Sequence, residues 1–240
     1  MRKFIYVFLI CIFSVNIYAD YESPMTKYKD NYFIAGSEDV KFQVSAKYNL
    51  IYPFDIGVYF AYSQISFWDI YDKSSPFRDS NYNPEAFWLS PEYGFMKYFK
   101  CGYEHKSNGR DSEDSRGFNR GYAKIELAYG EHYQIGIAGT GYYCTHVSRN
   151  NKDYDNYNGL YEVELFYKTL DPDKKGMEKE KIYVKGGSGK DKGWIEGGII
   201  TRIFSTRLQP RIFVQGFHGY SESLLDYNKK ETQIRGGVLF

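Results

Sequence analysis

Cysteine, net charge and long apolar runs are all scarce in this chain of 240 residues, and each scarcity excludes a class of protein. Three cysteines are too few for a disulfide-rich secreted scaffold. The 31 basic and 30 acidic side chains nearly cancel, which leaves no electrostatic footprint for nucleic acid. After the N-terminus, no apolar run is long enough for a membrane-spanning helix.

The N-terminus has the organisation of a secretory signal peptide. After a short basic start, residues 4–15 are almost wholly apolar, and Ala19 offers a small residue for cleavage. Cys11 is not preceded by the small residues of a lipoprotein signal, so no lipid anchor is expected. We predict that residues 1–19 are a cleaved signal peptide and that residues 20–240 form a single β-barrel domain.

What the chain has in abundance is aromatic side chains, which make up 20% of it and include 26 tyrosines. The mean hydropathy is nevertheless hydrophilic, at −0.56. A transmembrane β-barrel has this composition, because aromatic girdles lie at both interfaces while apolar and polar positions alternate along each strand. A secreted β-sandwich is the soluble alternative, and it would also be tyrosine-rich. Composition alone therefore favours the barrel only slightly.

An alternation of apolar and polar residues recurs along the chain with the period of a β-strand, clearly so in residues 41–48, 122–129 and 157–167. The pattern predicts twelve strands, near 31–36, 40–50, 55–69, 84–95, 97–108, 119–130, 132–145, 156–169, 181–187, 192–205, 210–221 and 231–240. Cys101 and Cys144 fall on strands that are not adjacent, so we expect both to be unpaired.

The connections between these strands alternate in length. Gly130-Glu131 is a tight turn, whereas residues 70–83, 109–118 and 146–155 are long and polar. Short periplasmic turns and long external loops are typical of outer-membrane barrels, and we expect residues 171–181 to be a solvated periplasmic turn. The predicted fold is an all-β, 12-stranded antiparallel transmembrane β-barrel of the bacterial outer membrane.

Residues 103–120 carry the candidate chemistry. His105 and Ser107 lie two apart in a predicted strand and so share a face, and Asn119 begins the next strand. The parity of the neighbouring apolar residues puts all three on the outer, lipid-facing side, near the outer leaflet. A base, a nucleophile and a polar orienting group on that face favour a hydrolase whose substrate is lipid. A lone His-x-Ser is seldom catalytic, so the hypothesis depends on the shared face.

The chain resembles the outer-membrane phospholipase A family along nearly its whole mature length. The matching segments are His105-Lys106-Ser107-Asn108-Gly109-Arg110 with Ser115-Arg116 and Asn119-Arg120, Ser74-Ser75-Pro76-Phe77-Arg78 with Asn81-Tyr82, and Glu222-Ser223-Leu224-Leu225-Asp226-Tyr227-Asn228. The resemblance implies a calcium-dependent phospholipase, of both A1 and A2 type, that hydrolyses sn-1 and sn-2 esters of outer-leaflet phospholipids and lysophospholipids. It also implies activation by formation of a homodimer.

The resemblance assigns a role to each catalytic candidate. Ser107 is expected to be the nucleophile, His105 the general base, and Asn119 the residue that orients the imidazole. The backbone N–H of Gly109 is expected to stabilise the oxyanion.

The resemblance also implies calcium ligands. These are the carbonyl of Arg110, the hydroxyl of Ser115 and the carbonyl of Ser74 of the partner subunit. Where the family often has an acidic ligand, this chain has Asn150, with Asp153 close by. Oxygen atoms of these kinds are ligands that calcium prefers.

Gln64 is a candidate dimer contact. It shares parity with the apolar Phe60 and Tyr62, so we expect it to face lipid, where an amide seeks a partner. The resemblance places a dimer-contact glutamine here; the alternative is an amide bonded to lipid headgroups.

Two other functions stay open at this point. One is a non-enzymatic small porin or structural barrel, in which residues 103–120 are only a loop. The other is an outer-membrane lipid A deacylase, which lacks this Asn-Gly and calcium-loop arrangement. Calcium-dependent release of fatty acid would separate the phospholipase from the porin.

Overall fold

The computed structural model describes residues 23–52, 54, 56–172, 177–202 and 210–240, so the predicted signal peptide lies outside the described residues. Within the described ranges the strands are β1 (Met25–Lys27), β2 (Tyr32–Ala35), β3 (Val40–Asn49), β4 (Val58–Trp68), β5 (Phe77–Leu89), β6 (Met96–Ser107), β7 (Gly117–Tyr129), β8 (Tyr133–Val147), β9 (Tyr161–Asp171), β10 (Met177–Ser188), β11 (Gly193–Arg202), β12 (Arg211–Gly219) and β13 (Glu231–Leu239). A short helix, α1 (Tyr154–Tyr157), lies in one connection. Among these residues no helix is long and apolar enough to cross a membrane.

The strands close on themselves. From β2 to β13 each strand pairs antiparallel with the next, and β13 pairs back with β2, which makes a closed barrel of twelve strands. The short β1 pairs with the far end of β3, from Met25 opposite Tyr48 to Lys27 opposite Ala46, and so extends the wall beside β2. The predicted twelve-stranded all-β barrel is confirmed. Cys101 and Cys144 are both free.

Polar side chains fill the inside of the barrel and apolar side chains cover the outside, as the alternation predicts. On β3, Lys41, Gln43 and Ser45 are buried inside, while Tyr48 is 42% exposed on the outer wall. The inside holds a cavity of about 520 Å³ with many charged groups on its lining. These charges are mostly paired, as between Lys185 and Glu196 at 3.0 Å, because an unpaired buried charge is strongly destabilising.

The second half of the loop predicted over residues 70–83 belongs to a strand. β5 begins at Phe77 and ends at Leu89, whereas the alternation predicts a strand over 84–95. The first half of β5 is largely polar on both faces, so it has no regular apolar alternation that the sequence could reveal. Its inward amide and carboxyl groups bond to the segment that folds over them: Asn81 Oδ1 accepts a hydrogen bond from the backbone of Leu224, at 3.1 Å, and Asp79 Oδ2 accepts one from the backbone of Leu225, at 3.0 Å.

The solvated turn predicted over 171–181 is too long, because residues 177–181 belong to a strand. β9 continues to Asp171 and β10 begins at Met177, and residues 173–176 lie outside the described part of the chain. The charged side chains at these strand ends form ion pairs with nearby strands, such as Glu178 on β10 with Arg211 on β12 at 2.7 Å. Charges in a strand therefore need not mark a solvated connection when the inside of the barrel is polar.

The three longest connections in the described part of the chain, residues 108–116, 148–160 and 220–230, lie at one end of the barrel, the end where β6 finishes. Residues 220–230 fold into the mouth at this end, where Leu224 is fully buried against Phe118, Tyr154 and Tyr227. This mouth segment closes the barrel above the polar interior.

Ion pairs hold the mouth segment in place. Glu222 contacts Arg235 at 2.6 Å and Lys41 at 3.1 Å, and Arg235 also contacts Asp39 at 2.6 Å. Burial by itself would raise the pKa of Glu222, but the charges of Lys41 and Arg235 outweigh burial and lower it. The pKa of Asp39 is lowered in the same way, against burial, by Arg235 and Arg78.

Candidate active site

His105 and Asn119 face each other across β6 and β7, and their side chains touch. The two residues are directly opposite in the register, and His105 Nδ1 lies 2.6 Å from Asn119 Oδ1. An amide oxygen only accepts hydrogen bonds, so Nδ1 carries the proton and Nε2 of the neutral ring keeps its lone pair. This is the tautomer that a general base needs.

The ladder explains why this pair is so close. Asn108 N–H donates to the Arg116 carbonyl at 3.1 Å, so the residues of β6 with even numbers bond to β7 and those with odd numbers bond to β5. His105 and Asn119 are therefore a non-hydrogen-bonded pair, in which Cα atoms approach to about 4.5 Å and side chains meet most easily.

Ser107 lies on the same outer face, one strand repeat beyond His105. In a strand, residues two apart are separated by roughly 6.6 Å along one face. His105 is exposed, while Ser107 and Asn119 are half-buried. Within the described residues the Ser107 hydroxyl has no hydrogen bond, so the structure joins His105 to Asn119 and sets Ser107 beside them.

Gly109 occupies a position that only glycine fits well. Its φ of 65° lies in the left-handed region, and a Cβ here would come within 2.8 Å of the Tyr82 ring. Tyr82 in turn lies opposite Ser107 in the β5–β6 register. The Gly109 peptide therefore packs against Tyr82, the residue that lies opposite the predicted nucleophile.

Asn108 organises the loop after β6, a role that the sequence analysis missed. Its buried side chain donates to the Asp114 carbonyl and accepts from the Arg116 N–H, both at 2.9 Å, and it also accepts from the Arg110 N–H at 3.4 Å. One amide thus closes residues 108–116 on themselves. The available signal was the Asn-Gly dipeptide, which predicts a turn but not these bonds.

The structure brings three of the predicted metal ligands to this loop. Arg110 and Ser115 belong to the loop, and Asn150 reaches it from the next connection by donating to the Ser112 carbonyl at 2.6 Å. Asp153 is directed elsewhere, because its carboxylate accepts the hydroxyl of Tyr227 in the mouth. Of the two candidates in that connection, Asn150 is the one that contacts the loop.

The donor chemistry fits calcium. The described residues contain no group of three or more His, Cys, Asp or Glu side chains that could hold a metal. The predicted ligands are instead carbonyl, hydroxyl and amide oxygens, which calcium accepts, and the exposed carboxylates of Asp111, Glu113 and Asp114 give the same loop negative charge.

Ser74 and Gln64 lie on other elements of the barrel. Ser74 has a φ of 70° in the loop between β4 and β5, and no described hydrogen bond joins it to Arg110 or Ser115. Gln64 is on the outer face of β4, as predicted, where it accepts from the Tyr62 hydroxyl at 3.2 Å and donates to Ser66 at 3.1 Å.

Comparisons with known proteins show the family to which this chain belongs. A family model described as Phospholipase A1 matches residues 3–240. A relative from Neisseria meningitidis is 30% identical over 217 residues, which are 84% of this chain and 54% of that protein, so this chain spans about half its length.

Two solved structures share the fold. An active-site asparagine-to-alanine mutant of outer membrane phospholipase A from Escherichia coli is 25% identical, with a TM-score of 0.76 over 95% of this chain and 96% of that one. An outer membrane phospholipase from Salmonella typhi, described as a dimer with bound calcium, is 23% identical, with a TM-score of 0.73 over 95% and 96%. The closed barrel and these relatives fit an outer-membrane β-barrel, and the chain belongs to the phospholipase A1 family.

Proposed function

We propose that this chain is an outer-membrane phospholipase that hydrolyses acyl esters of phospholipids at its lipid-facing wall. The observation that carries the proposal is the His105–Asn119 contact with Ser107 on the same outward face. A polar catalytic group on that face is within reach of lipid and out of reach of a solute inside the barrel. Both the sn-1 and the sn-2 ester are proposed substrates, as are lysophospholipids.

The proposed reaction has two steps. In the first, the Ser107 oxygen attacks the ester carbonyl carbon while His105 Nε2 takes the hydroxyl proton. The intermediate collapses, the alcohol oxygen leaves with that proton as a lysophospholipid, and the acyl group stays on Ser107. In the second step, water gives a proton to Nε2 and its oxygen to the acyl carbon, and the fatty acid leaves as the proton returns to Ser107.

Two neutral groups support these steps. Asn119 holds Nδ1, and thereby keeps the imidazole turned so that Nε2 accepts the proton; an active-site asparagine in the Escherichia coli relative supports this role. The Gly109 N–H is proposed to donate to the oxyanion. Asn119 carries no charge, so it stabilises an imidazolium less than a carboxylate would.

Calcium is the proposed cofactor. The Arg110 carbonyl, the Ser115 hydroxyl and the Asn150 amide oxygen would hold it, together with Ser74 of the partner subunit. When bound, calcium supplies positive charge that stabilises a developing oxyanion. The calcium-bound dimer described for the Salmonella typhi relative supports this assignment and a homodimeric active state. Gln64, on the outer face of β4, is the proposed contact between the two subunits.

The active site is proposed to lie at the outer leaflet. Ser107 ends β6 at the end of the barrel that carries the long connections, and long connections are external in bacterial barrels. Phospholipids that reach the outer leaflet are therefore the proposed substrates.

The test is hydrolysis of a phospholipid in detergent micelles, with calcium or with a chelator. Wild-type protein should release fatty acid only with calcium, and Ser107→Ala and His105→Ala should each lose about a thousandfold or more in kcat. His218→Ala is the matched control, because His218 faces outward on β12 and contacts Thr232 at 2.7 Å, away from the β6–β7 pair. Full activity in Ser107→Ala would overturn the proposal, and a non-enzymatic barrel predicts no release by any variant.

A further inference from the structure

A proline interrupts the ladder next to the predicted base. β5 and β6 pair at Tyr82 with Ser107 and again at Glu85 with Glu104, and this register puts Pro84 opposite His105. Among the described residues, no pairing is formed between these two positions. Proline has no N–H to donate, so it is unusual inside a strand that has neighbours on both sides.

The direction of the ladder shows which bond is missing. At the other end of the same pairing, Ser90 N–H donates to the Phe99 carbonyl at 2.8 Å. Hydrogen-bonded pairs recur every second residue along an antiparallel ladder. Pro84 lies six residues before Ser90 and His105 lies six residues after Phe99, so residues 84 and 105 also occupy the positions of a hydrogen-bonded pair. The ladder would therefore place an N–H of residue 84 on the His105 carbonyl, and Pro84 leaves that carbonyl without its donor.

Asn83 supplies the missing donor from inside the barrel. Its side-chain Nδ2 donates to the His105 carbonyl at 2.9 Å and to Glu104 Oε2 at 3.0 Å. Lys29 donates to Asn83 Oδ1 at 3.2 Å, which fixes the amide with its nitrogen towards β6. A backbone carbonyl without a partner in a membrane wall is costly, so this bond stabilises the strand as well as orienting it.

The same cluster reaches the strand of Asn119. Glu104 also forms a buried ion pair with Arg120, the residue next to Asn119 on β7. Asn83 and Glu104 thus hold both strands of the His105–Asn119 pair from the inner side of the wall.

We propose that Asn83 is a positioning residue for His105, which completes the hydrogen bond that Pro84 cannot make and so fixes the direction of the imidazole. The inference rests on the proposed function of His105 as the base. Asn83 does not touch substrate; it acts through the backbone of His105 on the outer face.

The test uses the proline itself. In Asn83→Ala, kcat should fall about 10- to 100-fold with KM nearly unchanged, because a small misplacement of the base slows proton transfer. In Asn83→Ala/Pro84→Ala, residue 84 regains an N–H, and most of the lost kcat should return. Labelling of Ser107 by a sulfonyl fluoride should fall and recover in parallel. Gln215→Ala is the control, since Gln215 is another buried inner amide, bonded to Lys41.

The outcomes separate this inference from the proposed function. Activity that survives Ser107→Ala overturns the proposed function. Activity that depends on Ser107 but is unchanged in Asn83→Ala, or is not recovered by the added Pro84→Ala, overturns the positioning role alone. If Asn83→Ala does not fold, the double variant must recover both the activity and the folded barrel, which is detected by its altered migration on an unheated gel. Failure of the double variant to recover both overturns the inference as well.

Discussion

Gly109 is subject to two constraints, a backbone in the left-handed region and a tyrosine ring where a side chain would stand. We expect Gly109→Ala to lower kcat by about 100-fold or more, because a methyl group 2.8 Å from the Tyr82 ring displaces the proposed oxyanion donor. Steady-state hydrolysis in micelles measures this effect.

The matched control for this glycine is Gly94. It has a φ of 59°, similar to that of Gly109, but a Cβ there meets nothing within 4 Å, and it lies in a turn at the opposite end of the barrel. Gly94→Ala has the same backbone strain without the clash, so its activity should match the wild type. Equal losses in both variants would point to general strain and not to the oxyanion donor.

Some side chains of the site follow from the sequence and others do not. Strict alternation puts His105, Ser107 and Asn119 on one face, and the structure confirms that placement. The roles of Asn83 and Asn108 were not predicted, because both residues act through side-chain hydrogen bonds to backbone atoms. Such bonds leave no periodic trace in a sequence.

The loop after β6 is the element on which the proposed calcium site depends. Asn108→Ala removes the amide that closes residues 108–116, so Arg110 and Ser115 lose their fixed spacing. The two lost hydrogen bonds together contribute about 2 kcal/mol, so we expect roughly thirtyfold weaker binding of a lanthanide probe, measured by terbium luminescence.

Asn49 provides a matched control for the loop after β6. Asn49 bridges the connection after β3 in a similar way, by donating to the Phe54 carbonyl at 3.2 Å, at the opposite end of the barrel. Asn49→Ala should leave terbium binding unchanged. Unchanged binding in Asn108→Ala would show that the amide does not shape the site.

At the level of strands, the alternation predicts a β-strand wherever one face is apolar, and it misses strands in which both faces are polar. β5 is the example: Asp79, Asn81 and Asn83 alternate with a mixed set of residues that is not consistently apolar, so the pattern predicts a loop over the first half of this strand. The position of Pro84 beside His105 is likewise visible only once the register is known.

The whole barrel is an apolar shell around a charged interior, and its mouth is closed by ion pairs between loop carboxylates and basic groups on the wall. Asp39 and Glu222 have pKa values below those of the unfolded chain, where carboxyl groups titrate near pH 4. Their stabilising contribution is therefore fully present above about pH 4 and is lost as the pH falls through their lowered pKa values.

The lowered pKa values of these carboxyl groups predict how the mouth segment responds to acid. The Leu224 amide, which donates to Asn81, should be strongly protected from hydrogen exchange at neutral pH. Its protection factor, which corrects for the slower intrinsic exchange in acid, should fall as the medium becomes more acidic than about pH 4, before the strands lose their own protection. Glu222→Gln should accelerate exchange already at neutral pH, since it leaves Lys41 and Arg235 without their shared carboxylate, a loss of about 3 kcal/mol for a buried pair.

Glu92→Gln, in an exposed pair with Lys97, should change nothing measurable. Exchange at Leu224 that is the same in Glu222→Gln and wild type would mean that apolar packing alone closes the mouth.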